Sequence, residues 1–200
     1  MKHLINYTDF INEYNDNRRS QILNSSKSYR EIISEYASWY DIDNVKTPIY
    51  RGINANSDFL IVKPSEFTRK SVSAEYYDEI LNTSPMWKDF PKRNKSIICT
   101  LDKNIVLSLA VGSIGQINTY RVIPLKENSK FGVGTTYDIK AQFDKTIITE
   151  YTDPYLLGFK VVNYNNNTII DKYKTEYGRE YGKEVWTDAD CLLVKESLFH

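Results

Sequence analysis

The stretch from residue 87 to residue 100 constrains the fold more than any other part of the chain. It reads Trp-Lys-Asp-Phe-Pro-Lys-Arg-Asn-Lys-Ser-Ile-Ile-Cys-Thr, so an aromatic pair, a proline and several cations precede a short β-branched run. A β-branched run of this kind is typical of a buried strand. Because the run ends in small polar side chains, we expect a strand that presents Ser96, Cys99 and Thr100 to a ligand.

The order of the remaining patterns favours helices first and strands afterwards. Thr8 is a candidate cap for a helix that runs through Ile22, and Ser28 with Glu31 has capping-box spacing for a second helix. Apolar runs predict strands at residues 48–53, 59–62, 96–101, 118–125 and 185–194. Helices are predicted at residues 73–81 and 103–111, and a polar turn or loop at residues 163–167. This mixture predicts an α+β fold with a largely antiparallel sheet on which the N-terminal helices pack.

Length and composition are those of one soluble globular domain. The chain has 200 residues, of which 41% are hydrophobic and 26% charged. We expect a single domain in which residues 1–46 form a helical extension and residues 47–200 form the core. No apolar segment approaches the length that crosses a membrane, and two cysteines give no disulfide framework. The expectation is a cytoplasmic protein with reduced thiols and no membrane partner.

Charge and histidine content exclude several classes of function. The chain carries 26 basic and 26 acidic residues, so stable binding to duplex DNA is not expected, although a local patch that engages RNA stays open. The two histidines, His3 and His200, stand at the ends of the sequence. A Ser-His-Asp hydrolase and a zinc protease both need histidines placed within the fold. Gly132-Val133-Gly134 begins like a dinucleotide fingerprint, but Tyr137 replaces the third glycine, which favours a tight loop.

Arg51 and Gly52 form the first candidate site. They lie in a predicted strand, where an arginine among apolar neighbours is costly unless it is paired. A structural ion pair is one interpretation; a planar fork that holds a phosphate or ribose is the other. Gly52 would let the backbone come close to such a ligand.

Other candidates follow along the chain. Ser96 and Thr100 are small hydroxyl side chains on the predicted strand, and Arg93 just before it is either a surface charge or a phosphate ligand. Glu184 precedes the last predicted strand, where a carboxylate is able to stabilise an oxocarbenium-like sugar cation. Tyr77 lies in a predicted helix and either packs on the helix face or stacks on a flat ligand.

The order of Arg51, the 96–100 strand and Glu184 resembles the ADP-ribosyltransferases of the Arg-Ser-Glu type. The segments 69–77, 87–100 and 120–124 are similar to ADP-ribosyltransferase-like domains of bacteriophages and mobile elements. The resemblance covers roughly residues 47 to 195. It implies a split, mostly antiparallel sheet with a strand arginine, a Ser-Thr-Ser-like strand and a late glutamate.

Roles follow from the resemblance, position by position. Arg51 is expected to hold the phosphates or ribose of NAD, with Gly52 and Arg93 beside it. Ser96 is expected to order the nicotinamide half, with Thr100 as a second small polar contact. The pattern departs from the family at Cys99-Thr100-Leu101, near where a Ser-Thr-Ser is expected.

The late glutamate has the chemical role in the resemblance. Glu184 is expected to bond the ribose 2′-hydroxyl and stabilise the cation as nicotinamide leaves, and Tyr77 is a candidate stacking ring. Gly182, two residues earlier, is not the Glu or Gln of enzymes that modify protein arginines. The acceptor is therefore expected to be another side chain, a nucleic-acid base or hydroxyl, or water.

The function that the resemblance implies is mono-ADP-ribosyl transfer from NAD, without a metal, to a macromolecule such as a protein or single-stranded RNA. A toxin, a defence effector or a phage-encoded host modifier would fit this activity, and an inhibitor or antitoxin protein is a possible partner. Two alternatives stay open. One is a catalytically inactive interaction module with the same shell, and the other is a metal-dependent nuclease that uses Asp and Glu clusters.

Overall fold

A computed structural model of the chain describes residues 20–23, 26–66, 68, 75–106, 116–134, 139, 148–170, 173–174, 180–181 and 184–199. Within these ranges the chain forms two α-helices, α1 (Tyr29–Tyr36) and α2 (Glu75–Thr83), together with short 3₁₀ helices. No helix in the described ranges is both long enough and apolar enough to cross a membrane.

Short strands make up most of the regular structure. They are β1 (Ser20–Ile22), β2 (Tyr50–Ile53), β3 (Phe59–Val62), β4 (Ile97–Thr100), β5 (Asn118–Pro124), β6 (Ser129–Val133), β7 (Lys160–Tyr164), β8 (Tyr173–Lys174), β9 (Glu180–Tyr181), β10 (Glu184–Thr187) and β11 (Cys191–Lys195). Nine of them form one sheet in the order β1-β3-β11-β5-β2-β4-β10-β6-β7, and β8 pairs with β9. Every pairing is antiparallel, which confirms an α+β fold with a large antiparallel sheet.

The large sheet is weakly joined at one place. Strands β2 and β4 are connected through a single residue pair, Tyr50 with Thr100. The pairing between β11 and β5, in contrast, extends over five residues. The β2–β4 junction therefore divides the sheet into a five-strand half, β1-β3-β11-β5-β2, and a four-strand half, β4-β10-β6-β7.

Two apolar clusters cover opposite faces of the four-strand half. On β4, Ile97 and Cys99 belong to the larger cluster, while Ile98 packs against the smaller one. On β10, Val185 belongs to the larger cluster and Trp186 to the smaller one. Because side chains alternate along a strand, these assignments place the two clusters on the two sides of the sheet.

Each helix packs on a different cluster. Helix α1 contributes Ile32 and Ile33 to the larger cluster, and helix α2 contributes Tyr77 and Leu81 to the smaller one. Aromatic rings dominate the smaller cluster: the Trp87 and Phe90 ring centroids lie 4.8 Å apart, and Phe90 stacks on Trp186 at 6.0 Å. The aromatic pair of the 87–100 stretch, Trp87 and Phe90, is therefore part of the hydrophobic core.

The capping box that the sequence predicts for the second helix is confirmed. The backbone N–H of Glu31 donates to Ser28 Oγ at 3.3 Å, and the backbone N–H of Ser28 donates to Glu31 Oε2 at 2.8 Å. The helix predicted before it lies mainly outside the described residues. Its predicted end is wrong, because residues 20–22 form strand β1, in which Ile22 pairs with Leu60.

Several boundaries at the C-terminal side also differ from the prediction. Residues 185–194 are two strands, β10 and β11, with β4, β2 and β5 between them in the sheet. Gly132 and Val133 lie in β6 and form no tight loop. The predicted turn at 163–167 begins only after β7, which ends at Tyr164.

The two predicted central helices differ in outcome. The helix predicted at residues 73–81 is α2, with residues 73 and 74 outside the described ranges. In place of a helix at residues 103–111, the described part shows a 3₁₀ turn, Lys103–Ile105, and residues 107–111 lie outside the described ranges.

Candidate functional site

Three segments that are far apart in sequence lie side by side in the sheet. Arg51 is on β2, Thr100 ends β4 and Glu184 begins β10, and the sheet order is β2-β4-β10. Thr100 pairs with Tyr50 on one side and with Glu184 on the other. Since adjacent strands are about 4.8 Å apart, the backbones of β2 and β10 are separated by roughly 10 Å.

The Glu184 carboxylate is buried, and both of its oxygens contact protein groups. Its side chain faces the same side of the sheet as Trp186, and the whole residue is 5% exposed. Glu184 Oε1 lies 2.6 Å from Arg93 Nη2, and Oε2 accepts a hydrogen bond of 2.9 Å from the backbone N–H of Ile139. The backbone of Glu184 is fixed as well, because its carbonyl accepts from Gly134 N–H at 2.8 Å.

The Arg93 guanidinium that meets Glu184 is itself supported by α2. Arg93 begins a 3₁₀ helix, Arg93–Lys95, and its Cζ lies 5.9 Å from the centroid of the buried Tyr77 ring. The next residue, Asn94, donates its backbone N–H to Asn82 Oδ1 at 3.2 Å. Lys92 Nζ donates to the Asn82 carbonyl at 2.5 Å. The C-terminal end of α2 therefore fixes the turn that carries Arg93.

Arg51 and Gly52 lie at the junction between the two halves of the sheet. Arg51 Nη1 donates to the carbonyl of Ile98 on β4 at 2.5 Å, so the guanidinium crosses from one half of the sheet to the other. At Gly52, an added Cβ would lie 2.9 Å from Val106 Cγ1 and 3.1 Å from Ile117 Cγ2. The close approach that Gly52 permits is thus made by side chains of the protein.

The two predicted hydroxyl contacts have different surroundings. Ser96 Oγ donates to the Lys92 carbonyl at 2.8 Å and closes the turn before β4. Thr100 lies opposite Glu184, and its Oγ1 accepts from Asp102 N–H at 3.2 Å. Four residues of strand separate Ser96 from Thr100, which corresponds to about 13 Å. The structure brings Thr100 next to Glu184 and places Ser96 away from it.

Arg93 and Ile139 both contact Glu184, and neither contact was predicted from the sequence. Arg93 stands directly before a buried strand, and an arginine that becomes buried requires an anion. The sequence suggested a surface charge or a phosphate ligand at Arg93 and did not indicate this ion pair, because the partner is 91 positions away. The Ile139 contact uses a backbone N–H, which every residue except proline has, and therefore leaves no trace in the sequence.

The groove on the other half of the sheet contains none of the predicted site residues. It has a volume of about 240 Å³ and is lined by Lys103, Asn118, Thr119, Lys195, Glu196 and Ser197. Beside it, Arg121 Nε contacts Glu196 Oε2 at 3.2 Å and Lys103 Nζ contacts Glu196 Oε1 at 3.2 Å. These ion pairs attach the C-terminal 3₁₀ helix, Glu196–Phe199, to the sheet.

The arrangement around Glu184 is suited to binding a hydroxyl group. Glu184 Oε1 forms an ion pair with the Arg93 guanidinium, and Oε2 accepts a hydrogen bond from the Ile139 N–H. These two contacts restrict the orientation of the carboxylate, and an ionised carboxylate is a strong acceptor for a hydroxyl donor. In the described part of the chain, no group of three or more His, Cys, Asp and Glu side chains is arranged to hold a metal ion. A comparison of this chain with protein-family models, curated proteins and solved structures finds no match.

Proposed function

We propose that this chain is a mono-ADP-ribosyltransferase that uses NAD as substrate and releases nicotinamide. The observation that carries the proposal is the adjacency of β2, β4 and β10, which brings the Arg51, Thr100 and Glu184 segments together from distant parts of the sequence. The weak β2–β4 junction supports it further, because a split in the sheet lies beside Arg51 and Thr100. This is the arrangement that the Arg-Ser-Glu resemblance implies.

In the proposed mechanism, Arg51 binds the pyrophosphate of NAD. A guanidinium carries five N–H donors in a planar fork that suits phosphate recognition, and Arg51 Nη1 is bonded to the Ile98 carbonyl beside the split in the sheet. Thr100 supplies a small hydroxyl next to Glu184. From the sequence, this role was expected of Ser96. Ser96 supports the start of β4 through its bond to the Lys92 carbonyl.

The chemical step needs a carboxylate and no imidazole. Glu184 accepts a hydrogen bond from the ribose 2′-hydroxyl while the bond between the anomeric carbon and the nicotinamide nitrogen breaks. The electron pair leaves with nicotinamide, which is already cationic in NAD, and the carboxylate stabilises the sugar cation that remains. A nucleophile of the acceptor then bonds to the anomeric carbon and loses its proton. Holding NAD in this orientation supplies most of the remaining rate enhancement.

The acceptor in this proposal is a macromolecule. Zero formal net charge gives no general attraction to a phosphate backbone, which favours a protein acceptor over single-stranded RNA. The two cysteines of the chain are buried and form no disulfide, and the proposal places the enzyme in the cytoplasm. A toxin, a defence effector or a phage-encoded modifier of host proteins would use such an activity, and an inhibitor protein would then be a natural partner.

Nicotinamide release from labelled NAD tests the proposal. The Glu184→Gln variant keeps the shape of the side chain and removes its charge, so release and label transfer in cell extract should fall at least about 100-fold. The matched control is Glu127→Gln, which makes the same change at an exposed turn and should retain wild-type activity. Full activity of Glu184→Gln would remove this carboxylate from the mechanism.

A catalytically inactive interaction module is the second candidate. The observation that favours it is the burial of Glu184, whose two oxygens both contact protein groups. In that case the Arg93–Glu184 pair only stabilises the fold. Such a module releases no nicotinamide, with or without extract, whereas a transferase releases it at a rate that depends on Glu184.

A further inference from the structure

The buried pair of Arg93 and Glu184 gives Arg93 a role other than phosphate binding. Their side chains are each 6% exposed, and the 2.6 Å contact joins them at the face of the sheet that α2 covers. A charge is tolerated at such a depth only when an opposite charge is close and well oriented. We therefore assign Arg93 as the counter-charge of Glu184.

The support behind Arg93 fixes the position of its guanidinium. The Tyr77 ring lies 5.9 Å from Arg93 Cζ, within the range of a cation–π contact. The turn around Arg93 is bonded to the end of α2 through Asn82, which contacts both Asn94 and Lys92. A long side chain such as that of Arg93 normally samples several rotamers, and ordering it costs conformational entropy. These contacts hold the guanidinium in one position before any ligand binds.

We infer that Arg93 is a positioning residue that orients the Glu184 carboxylate for the reaction, an inference that rests on the proposed function. The ion pair with Arg93 holds Oε1 and the hydrogen bond from the Ile139 N–H holds Oε2, so the two contacts together restrict rotation of the carboxylate about its Cγ–Cδ bond. In this inference Tyr77 acts through its contact with Arg93.

This role makes a kinetic prediction that phosphate binding does not make. Loss of a positioning residue lowers kcat and leaves the KM for NAD nearly unchanged, because the transition-state contact of Glu184 weakens while substrate contacts persist. Loss of a phosphate ligand raises KM instead. A purely structural role changes the unfolding midpoint and leaves kcat intact in the folded fraction.

The experiment compares Arg93→Met, Arg93→Lys and the control Lys95→Gln in steady-state nicotinamide release from NAD. Lys95 is an exposed cation in the same turn, so its replacement should change neither kcat nor KM. We expect Arg93→Met to lower kcat about 100-fold with the KM for NAD within about threefold. Arg93→Lys keeps the positive charge but lacks the planar guanidinium, so its kcat should be about tenfold higher than that of Arg93→Met and about tenfold lower than that of wild type.

The outcomes separate this inference from the proposed function. A raised KM with unchanged kcat would identify Arg93 as a substrate ligand and overturn the positioning role. If Arg93→Lys and Arg93→Met both fold and both show the wild-type kcat, the positioning role of Arg93 is overturned. The proposed transferase function would still stand in that case. If Arg93→Met does not fold, Arg93→Lys decides alone, because wild-type kcat in that variant refutes the need for the fork. A wild-type protein without nicotinamide release would overturn the proposed function and this inference together.

Discussion

At the scale of single residues, Gly132 is the position where packing next to the site is tightest. It pairs with Trp186 across β6 and β10, and an added Cβ would lie 2.2 Å from Cε2 and 2.3 Å from Cζ2 of that indole. Trp186 has no room to withdraw, because the ring is fully buried and its Nε1–H donates to the Pro91 carbonyl at 3.0 Å. Only a residue without a Cβ leaves enough space for the indole at this position.

Gly132→Ala should therefore destabilise the protein by about 3 kcal/mol, the upper part of the range for overpacked cores. Urea unfolding followed by tryptophan fluorescence measures this loss. Lys130→Ala is the matched control, since Lys130 is exposed on the same strand, and its cost should stay within about 0.5 kcal/mol. Equal midpoints for the two variants would show that the indole shifts to accept a methyl group.

Single residues also show what the sequence does and does not reveal about the site. The order of Arg51, the 96–100 strand and Glu184 along the chain suggested a shared site, and the sheet brings these three segments together, with Thr100 rather than the predicted Ser96 next to Glu184. The pairing of Arg93 with Glu184 was not identified, because it depends on where the turn before β4 comes to rest against α2. Residue types indicate which chemistry is available, whereas the partner of a charge is decided by tertiary packing.

At the scale of elements, α1 is the clearest case of local sequence determining local structure. Ser28 and Glu31 satisfy each other's backbone N–H groups at the first turn, and Ile32 and Ile33 follow on the buried face. All of these interactions lie within a few residues, so no tertiary information is needed to predict them.

Removal of the cap should have a measurable cost. Ser28→Ala leaves N–H groups of the first turn without a side-chain acceptor and should lower the free energy of unfolding by about 1 kcal/mol. Ser34→Ala makes the same chemical change at an exposed position inside α1, where alanine is the better helix former, and should be neutral or slightly stabilising. Chemical unfolding of both variants provides the comparison, and a Ser28→Ala midpoint equal to that of wild type would contradict the role of the cap.

Strands were predicted less well than α1, for a physical reason. The Gly132-Val133-Gly134 run suggested a loop, but the indole of Trp186 occupies the space above Gly132 and makes a strand favourable there. The apolar residues from 185 to 194 suggested one strand, yet Asp188-Ala189-Asp190 separates two that lie in different halves of the sheet. Which strands are neighbours depends on the whole sheet, and a periodic pattern carries no information about it.

At the scale of the whole molecule, the larger cluster is the feature with the strongest consequence for stability. It spans both halves of the sheet, since Ile97 of β4 and Leu192 of β11 both belong to it. Tyrosine hydroxyls lie within it: Tyr40 is 5% exposed, and Tyr164 Oη donates to the Thr47 carbonyl at 2.7 Å. Burial raises the pKa of both phenols, that of Tyr40 to about 12, and the Arg121 guanidinium only partly offsets this effect.

These raised pKa values predict a loss of stability at alkaline pH. The pKa of an unfolded tyrosine is about 10, so below pH 10 the phenol is protonated in both states and its stabilising contribution is complete. Between pH 10 and 12 the unfolded chain releases the Tyr40 proton while the folded protein keeps it, which favours unfolding. Each such group lowers the free energy of unfolding by up to about 1.4 kcal/mol per pH unit in this window.

Urea unfolding midpoints between pH 8 and pH 11 test this dependence with a matched pair of variants. Tyr40→Phe removes the buried hydroxyl and should reduce the slope of stability against pH above pH 10. Tyr151→Phe makes the same change at a side chain that is 80% exposed and should keep the wild-type slope. Identical slopes in all three proteins would mean that the Tyr40 phenol ionises equally in both states, and that the larger cluster admits water at this position.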